Sequence, residues 1–237
     1  MPDYYDRTEF VKSKDLTRWE GFGDFAIDEL ILFGPNKLSI DIKNQTGLIN
    51  LVISESLYQN FMYGEIKFLD FSNLTDRLEL NGQDYIQISF TTPGFSGKIE
   101  KKKFVVTNFN QLKLAYTGKG KEVTLGFISE HAYMSMQSKV VGSYRGTVSD
   151  IVAQISESYF GNEMVSLQKT DNEHSFIIPT WTPYKTLNWL SKRAVSASNR
   201  EDCSFLFYEN MDGNHFRSIH ALVQQPAVTE YNYHQPN

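Results

Sequence analysis

Strict alternation of apolar and polar residues marks the stretch from residue 53 to residue 90 and constrains the fold more than any other feature. Residues 64–70 read Gly-Glu-Ile-Lys-Phe-Leu-Asp, and residues 82–90 read Gly-Gln-Asp-Tyr-Ile-Gln-Ile-Ser-Phe. A period of two with one apolar face predicts half-buried antiparallel strands. Gly64 and Gly82 stand where each strand begins, a place where a turn or bulge uses a residue without a Cβ.

Similar patterns on both sides of this stretch predict an antiparallel β-barrel. Residues 24–33 fit a helix and a strand equally well. Residues 1–24 are polar and aromatic without a sustained period, and we interpret them as an arm that orders against a neighbour or frays. The remaining strands of the barrel are predicted at 38–42, 48–57, 104–109, 111–116 and 123–128.

The pattern changes after about residue 130. A helix is predicted at 147–160, where apolar residues share one face, Thr147 is a capping residue and Gly161 supplies the stop. A second helix begins at Thr182, with Pro183 in its first turn. Further strands are predicted at 175–179, 205–208 and 216–222, the last two joined by a hairpin turn at Asp212-Gly213. Strands, then helices, then strands predict a mainly β fold with an inserted α+β segment.

Composition excludes several classes of function. The 14% aromatic content, with 17 Phe and 13 Tyr, favours sheet, and 237 residues can form one large domain or two small ones. A net charge of −5 argues against a general nucleic-acid binder. Cys203 is the only cysteine, so no internal disulfide is expected. No signal peptide is evident at the N-terminus, and no apolar run approaches the roughly 20 residues of a membrane-spanning helix.

Cysteine and histidine offer little for catalysis. One interpretation makes Cys203 a nucleophile with His215 or His220, and the simpler one makes it a small buried side chain entering a strand. The five histidines include no pair with helical spacing beside an acid, so no zinc site is predicted.

Two other groups of residues invite functional interpretations. Asp70, Asp76 and Glu79 resemble the paired carboxylates of glycoside hydrolases, although a strand end and a polar connector favour solvated turn residues. Trp181 and Trp189 could form a platform that stacks a sugar or a base, or could be part of the core. We therefore predict no catalytic, cofactor-binding or metal-binding residues and no enzyme activity.

Basic residues gather in two short segments. Residues 98–103 contain four lysines, which fit a phosphate-binding patch or, more simply, a solvated strand edge that discourages pairing with another chain. Residues 118–121 read Gly-Lys-Gly-Lys but lack the spacing and context of a phosphate-binding loop, which favours a hairpin turn.

Two sets of motifs follow one another between residues 49 and 220. The first reads Leu57-Tyr58, Gly64-x-Ile-x-Phe-x-Asp70 and Gly82-x-Asp-x-Ile-x-Ile88. The second reads Ile178-Pro179-x-Trp181-x-Pro183-Tyr184, Leu187-x-Trp189-Leu190-x-x-Arg193-Ala194 and Phe205-x-Phe207. In order and spacing they resemble the baseplate hub subunit of contractile-tailed, T-even-like bacteriophages, which is related to the spike hub domains of type VI secretion.

The resemblance implies two intertwined domains of a tail-hub fold. We expect an N-terminal arm at 1–24, a first hub β-barrel from 25–130 plus 205–237, and an α+β segment of the second hub domain at 131–204. In this topology the hairpin within 205–237 returns to close the first barrel. The second domain is expected to be incomplete, because hub subunits continue into later sequence. The chain would then be a fragment, a divergent short hub, or a hub completed by another chain.

The same resemblance implies a structural virion protein without cofactors. It would form a homotrimeric ring in the tail baseplate after synthesis in the host cytoplasm. Its expected partners are the tail tube protein, the central cell-puncturing spike and baseplate wedge or other hub proteins, with DNA only passing through the lumen and no stable membrane insertion. Two alternatives stay open: a carbohydrate-binding module that stacks sugar on Trp181 or Tyr58, and a glycoside hydrolase that uses the carboxylates.

Overall fold

The computed structural model describes residues 25–35, 38–91, 99–113, 120–161 and 164–226. The arm expected at 1–24 therefore lies outside the described residues. The strands are β1 (Ala26–Phe33), β2 (Ser39–Asp41), β3 (Gly47–Ser54), β4 (Tyr63–Asp70), β5 (Tyr85–Thr91), β6 (Ile99–Lys113), β7 (Lys121–Ser129), β8 (Val140–Thr147), β9 (Met164–Leu167), β10 (Glu173–Trp181), β11 (Phe205–Asn210) and β12 (Gly213–Ser218). The helices are α1 (Ile42–Gln45), α2 (Leu74–Leu78), α3 (Glu130–Gln137), α4 (Val148–Phe160), α5 (Pro183–Ser191) and α6 (Ile219–Val223).

The chain forms two compact units, each assembled from separate segments. The first holds the described residues up to Ser56, together with Phe61–Met134 and Asn210–Asp212. The second holds Leu57–Asn60, Ser135–Glu209 and the described residues from Gly213 onward. Each unit therefore contains a short segment whose neighbours in sequence belong to the other.

The first unit is built on a seven-stranded sheet in the order β2-β1-β5-β6-β7-β4-β3, with every neighbouring pair antiparallel. The sheet curls into a half-barrel with β2 and β3 at its two ends. The expected mainly β fold is confirmed, and within the ambiguous residues 24–33 the segment Ala26–Phe33 forms strand β1.

Alternation along the strands places one apolar face of the sheet in the core. Ile66 and Phe68 of β4 and Ile86 and Ile88 of β5 are fully buried, as their spacing predicts. They share a core cluster with leucine, isoleucine, valine and phenylalanine side chains from β1, β6 and β7. Burial of this continuous apolar surface is the main term that stabilises the sheet.

The second unit contains two small sheets and two helices with clear start signals. Thr147 accepts a hydrogen bond from the Asp150 amide at 3.2 Å and so begins α4, and Thr182 accepts one from the Lys185 amide at 3.4 Å and so begins α5. Both starts were predicted from the sequence and are confirmed. The two-stranded sheet pairs β8 with β10, and the three-stranded sheet has the order β11-β12-β9.

The hairpin β11–β12 lies in a different sheet from the one expected. Instead of returning to the first barrel, β12 pairs in parallel with β9, so the prediction that 205–237 closes the barrel is wrong for this hairpin. Strands rich in aromatic residues can join either sheet, and composition does not choose between them. The strand predicted at 216–222 is also wrong beyond Ser218, which instead caps helix α6 by accepting a hydrogen bond from the Ala221 amide at 3.1 Å.

A buried asparagine ties the short segment Leu57–Asn60 into the second unit. Asn60 is 9% exposed, and its Nδ2 donates to Asn188 Oδ1 at 2.9 Å and to the Phe207 carbonyl at 2.9 Å. Asn188 Nδ2 donates back to Asn60 Oδ1 at 2.5 Å. This reciprocal amide pair joins positions 128 residues apart and satisfies polar groups that burial would otherwise penalise.

Candidate functional site

Aromatic side chains gather where β10 ends and α5 begins. The ring centroids of Trp181 and Trp189 lie 5.6 Å apart at an interplanar angle of 67°, and Phe176 meets Trp189 edge to face at 4.8 Å. Thr182 starts the helix directly after the strand, which brings the two tryptophans together. Edge-to-face geometry is the favourable arrangement for such rings.

Two cations cover the indole rings. Lys185 Nζ lies 4.8 Å from the centroid of Trp181, and the guanidinium carbon of Arg193 lies 3.7 Å from the centroid of Trp189. Arg193 also donates to the Trp189 carbonyl at 3.0 Å. We call Phe176, Trp181, Trp189, Lys185 and Arg193 the aromatic–cation cluster. Each indole has a cation over one face, so the cluster offers less open aromatic face for a sugar than the sequence alone allowed.

Trp189 is not part of the buried core, which was one of the two interpretations that the sequence allowed. Trp189 is only half-buried, and its aromatic and cationic neighbours come from β10 and from the end of its own helix. Leu187 and Leu190 on the inner face of the helix, and Ala194 just beyond its end, are at most 1% exposed. Because Trp189 lies beside that inner face and not on it, the cluster forms part of the surface of the second unit.

The exposed side of the cluster is positively charged. Lys185, Lys192 and Arg193 are exposed, and none of them forms an ion pair with another described residue. Ammonium and guanidinium groups bind carboxylates and phosphates through charge-assisted hydrogen bonds. The arrangement can therefore hold an anionic group, and it contains no carboxylate that would act as a general acid or base.

The carboxylate of Asp70 has a structural role. It is fully buried, and its oxygens accept hydrogen bonds from the amides of Ser72 (3.1 Å), Leu74 (3.0 Å) and Thr75 (2.9 Å) and from the Thr75 hydroxyl (2.8 Å). Burial alone would raise the pKa of Asp70, but these hydrogen bonds favour the ionised form and lower the pKa below its ordinary value. Asp70 therefore holds the first turn of α2 and is not the solvated turn residue that we expected.

The other two carboxylates are not arranged for hydrolysis. Asp76 forms an exposed ion pair with Lys121, at the start of β7. Glu79 ends α2 in the left-handed region, with φ of 52°. Because Asp70 is committed to backbone donors and Asp76 to a lysine, no pair of available carboxylates emerges from the three.

Cys203 is exposed, so the expectation that it is a small buried side chain is wrong. The two histidines considered as its partners are engaged elsewhere. His215 Nδ1 lies 2.8 Å from Ser166 Oγ and its ring stacks on Tyr208 at 4.9 Å, while His220 Nε2 lies 2.8 Å from Gln224 Nε2. The geometry gives no support to a cysteine–histidine nucleophile.

In the lysine segment 98–103, Lys98 lies outside the described residues, and Lys102 and Lys103 pair with β5. The pairing of β6 with β7 begins only at Phe104, so among the described strands this segment has a partner on one side, which agrees with the predicted strand edge. Lys103 also pairs with Glu130 at 2.6 Å and lies over the Tyr85 ring at 4.6 Å. The hairpin turn predicted at residues 118–121 falls largely outside the described residues, which exclude 114–119. The flanking strands β6 and β7 are antiparallel, with Lys113 opposite Lys121.

Within the described ranges, no group of three or more histidine, cysteine, aspartate or glutamate side chains is placed to hold a metal ion. Of the helices that the structure describes, none is long and apolar enough to cross a membrane.

Comparison with solved structures identifies the fold. The chain matches the 43 kDa tail protein of prophage MuSo2 from Shewanella oneidensis with a TM-score of 0.52 at 12% identity, over 80% of this chain and 54% of that one. The chain therefore has a fold similar to that of this tail protein. Weaker matches are a tail protein from Neisseria meningitidis MC58 (TM-score 0.48, 8% identity, 81% of this chain and 51% of that one) and the Francisella PdpA–VgrG complex (0.42, 15%, 92% and 36%).

The match to the tail-protein fold is structural, and it covers part of each relative. No protein-family model matches the sequence, and no curated protein matches it. The chain spans about half the length of the first two tail proteins, 54% and 51%. The resemblance found in the motifs is thus confirmed at the level of the fold.

Proposed function

We propose that this protein is a structural component of a phage tail, namely a subunit of the baseplate hub that joins the tail tube to the central cell-puncturing spike. The observation that carries the proposal is the tail-protein fold, which extends over 80% of the chain. The ordered motifs of residues 57–88 and 178–207 resemble those of hub subunits and support the same assignment.

The proposed assembly is a homotrimeric ring in the virion baseplate, made from subunits synthesised in the host cytoplasm. Its partners are the tube protein on one side, the spike on the other, and wedge or other hub proteins around it. In hub proteins, two similar barrels per subunit let three subunits match a sixfold tube. The first unit contains one half-barrel, and under this proposal the second unit would be part of the second hub domain.

The charge of the chain fits a channel through which DNA passes without binding. With 28 acidic and 23 basic residues, the chain carries a net charge of −5 at pH 7. Stable binding of DNA requires lysine and arginine side chains that neutralise several phosphates and release counterions. A wall of neutral or negative potential would let DNA slide through the channel.

Oligomeric mass tests this function. Light scattering with size-exclusion chromatography at micromolar concentration should give a mass three times that of the 27.3 kDa chain. Mass spectrometry of purified particles should find the protein in isolated tails and not in capsids. A monomer at every concentration, together with absence from purified tails, would contradict the hub assignment.

A further inference from the structure

The cations of the aromatic–cation cluster have no carboxylate partner among the described residues. Lys185 and Arg193 each lie over an indole ring, and neither forms an ion pair with a residue that the structure describes. Elsewhere in the second unit an exposed cation does have an acidic neighbour, since Lys169 Nζ lies 3.5 Å from Asp150 Oδ1. In a chain with a net charge of −5, the cluster is therefore a local region of positive potential.

The position of Lys185 in its helix strengthens this potential. It is the third residue of α5, directly after Pro183 and Tyr184, and the first turn of this helix contains no acidic residue. The dipole of a helix makes its N-terminus positive, so a cation in the first turn is less favourable for the helix than a carboxylate. The helix end and the ammonium group therefore both favour a negatively charged group from outside the helix.

A strained residue precedes Trp181. Thr180 has a φ of 48°, a conformation that residues with a branched Cβ rarely adopt. The register of β10 against β8 shifts between Ile178 and Trp181, so Thr180 lies in the irregular part of the strand. Strained backbone of this kind occurs most often at ligand-binding and active sites. The strand thus adopts an unfavourable conformation immediately before the ring that contacts Lys185 and Trp189.

The geometry favours a carboxylate over a nucleotide as the anion. Proteins that bind single-stranded nucleic acid stack successive bases on open aromatic faces. In the cluster a cation covers one face of each indole, and the two rings meet at an angle of 67° instead of lying parallel. The negative charge of the chain also repels a long polyanion, whereas a short acidic peptide meets mainly the local field.

We propose that the exposed side of the aromatic–cation cluster is an interaction surface for an acidic segment of another protein. Carboxylates of that segment pair with Lys185, Lys192 and Arg193. An apolar side chain next to them packs on the half-buried rings of Trp181 and Trp189. Tryptophan and arginine are enriched among the residues that dominate binding at protein interfaces. The surface belongs to the second unit alone, so its binding does not rest on the proposed hub function.

Peptide binding to the full chain tests this surface. The probe is a fluorescein-labelled synthetic peptide of four glutamates around one leucine, and its control has glutamine in place of each glutamate. Fluorescence anisotropy at low ionic strength should show that the glutamate peptide binds at least about tenfold more tightly, because the neutral peptide lacks charge-assisted hydrogen bonds. Added salt should weaken the binding of the glutamate peptide.

Matched charge variants locate the site. Lys185→Gln and Arg193→Gln should each weaken binding of the glutamate peptide by about tenfold, because each removes a hydrogen bond to a charged group. Lys169→Gln removes the same charge from an exposed lysine outside the cluster that pairs with Asp150, and it should change the affinity by less than about twofold. All three positions are exposed, so the variants should fold, and urea unfolding verifies this.

Several results would overturn the proposal. One is a glutamate peptide that does not bind at low ionic strength, or that binds no more tightly than the glutamine peptide. Another is a loss of affinity in Lys169→Gln as large as that in Arg193→Gln. Tighter binding of a fluorescein-labelled oligothymidine of equal charge would also overturn it, and would assign the surface to single-stranded nucleic acid. Because oligomeric mass has no bearing on these results, this proposal and the hub function can each fail without the other.

Discussion

Asp70 links the stability of the first unit to pH. Its carboxylate is buried and accepts four hydrogen bonds, three of them from backbone amides. Because the pKa of Asp70 is lower in the folded chain than in the unfolded one, the unfolded state binds more protons at acidic pH. The stabilisation is therefore complete above the unfolded pKa of about 3.9 and is lost as the pH falls through the folded pKa.

We predict that Asp70→Asn lowers the free energy of unfolding by about 1–3 kcal/mol at pH 7, because buried donors lose a charged acceptor. The difference from the unsubstituted chain should shrink as the pH falls below about 4, because the unfolded chain then binds a proton at this carboxyl group before the folded chain does. Urea unfolding at pH 7 and pH 3 measures both values. Asp76→Asn is the control, since its exposed ion pair should contribute less than about 1 kcal/mol. If the free energy of unfolding depended on pH equally in the two variants, the stabilising role of the Asp70 carboxylate would be contradicted.

Trp189 and Leu187 lie on the same helix in different environments. Leu187 is fully buried, whereas Trp189 is half-buried between Phe176, Trp181 and Arg193. We predict that Leu187→Ala lowers the free energy of unfolding by about 3–5 kcal/mol and Trp189→Ala by only about 2 kcal/mol. Chemical denaturation of the two variants tests this order. A larger loss for Trp189→Ala would show that the indole belongs to the core after all.

Strand β4 requires glycine at position 64, because the neighbouring residues leave no room for a Cβ atom. A Cβ added at Gly64 would lie 2.2 Å from the Val52 carbonyl oxygen and 2.6 Å from the Phe127 ring. Gly82, by contrast, has a positive φ of 88° and nothing within 4 Å of its added Cβ. The first glycine is needed for close approach of strands and the second for backbone conformation.

These two requirements predict different losses in the free energy of unfolding when each glycine is replaced by alanine. Gly64→Ala should lower the free energy of unfolding by about 3 kcal/mol or more, because a backbone carbonyl cannot move aside without disturbing the pairing of β3 with β4. Gly82→Ala should cost only about 1–2 kcal/mol, the usual penalty of a left-handed conformation for a residue with a Cβ. Thermal or urea unfolding of both variants compares them. Similar losses would mean that β3 can shift to accommodate the methyl group.

Local signals explain which elements were predictable. The alternation in β4 and β5 and the capping threonines of α4 and α5 depend on residues close in sequence, and these predictions held. Strand β8 was missed, because Gly142 and Gly146 interrupt its pattern with positive φ angles. The choice of sheet for β11–β12 was wrong, because it depends on pairing with β9, some 50 residues away, as in Ser166 with His215.

Part of the candidate site could be predicted from the sequence. Trp181 and Trp189 were recognised, and the spacing of four residues to Lys185 and to Arg193 was a usable signal for the cations above their rings. The pairing of Asn60 with Asn188 had no such signal, since contacts between distant segments depend on the whole fold.

The segments that form the first unit indicate that it can fold without most of the second unit. A fragment ending at Met134 contains all seven strands and every buried residue of the core cluster; of the packed residues described, only Met211 falls outside it. We expect this fragment to unfold cooperatively in urea, followed by far-UV circular dichroism, because the hairpin β11–β12 is not part of its sheet. A gradual transition with strong binding of a hydrophobic dye would contradict this expectation.

Because of the buried amide pair of Asn60 and Asn188, recombination would not exchange the two units equally well. Recombination between codons 134 and 135 would transfer the first unit almost whole, apart from the three residues Asn210–Asp212. The same crossover would leave the second unit without its own Leu57–Asn60, and both the Asn188 side chain and the Phe207 carbonyl would lose their partner. The contact survives such a crossover only when the recipient chain also has asparagine at position 60.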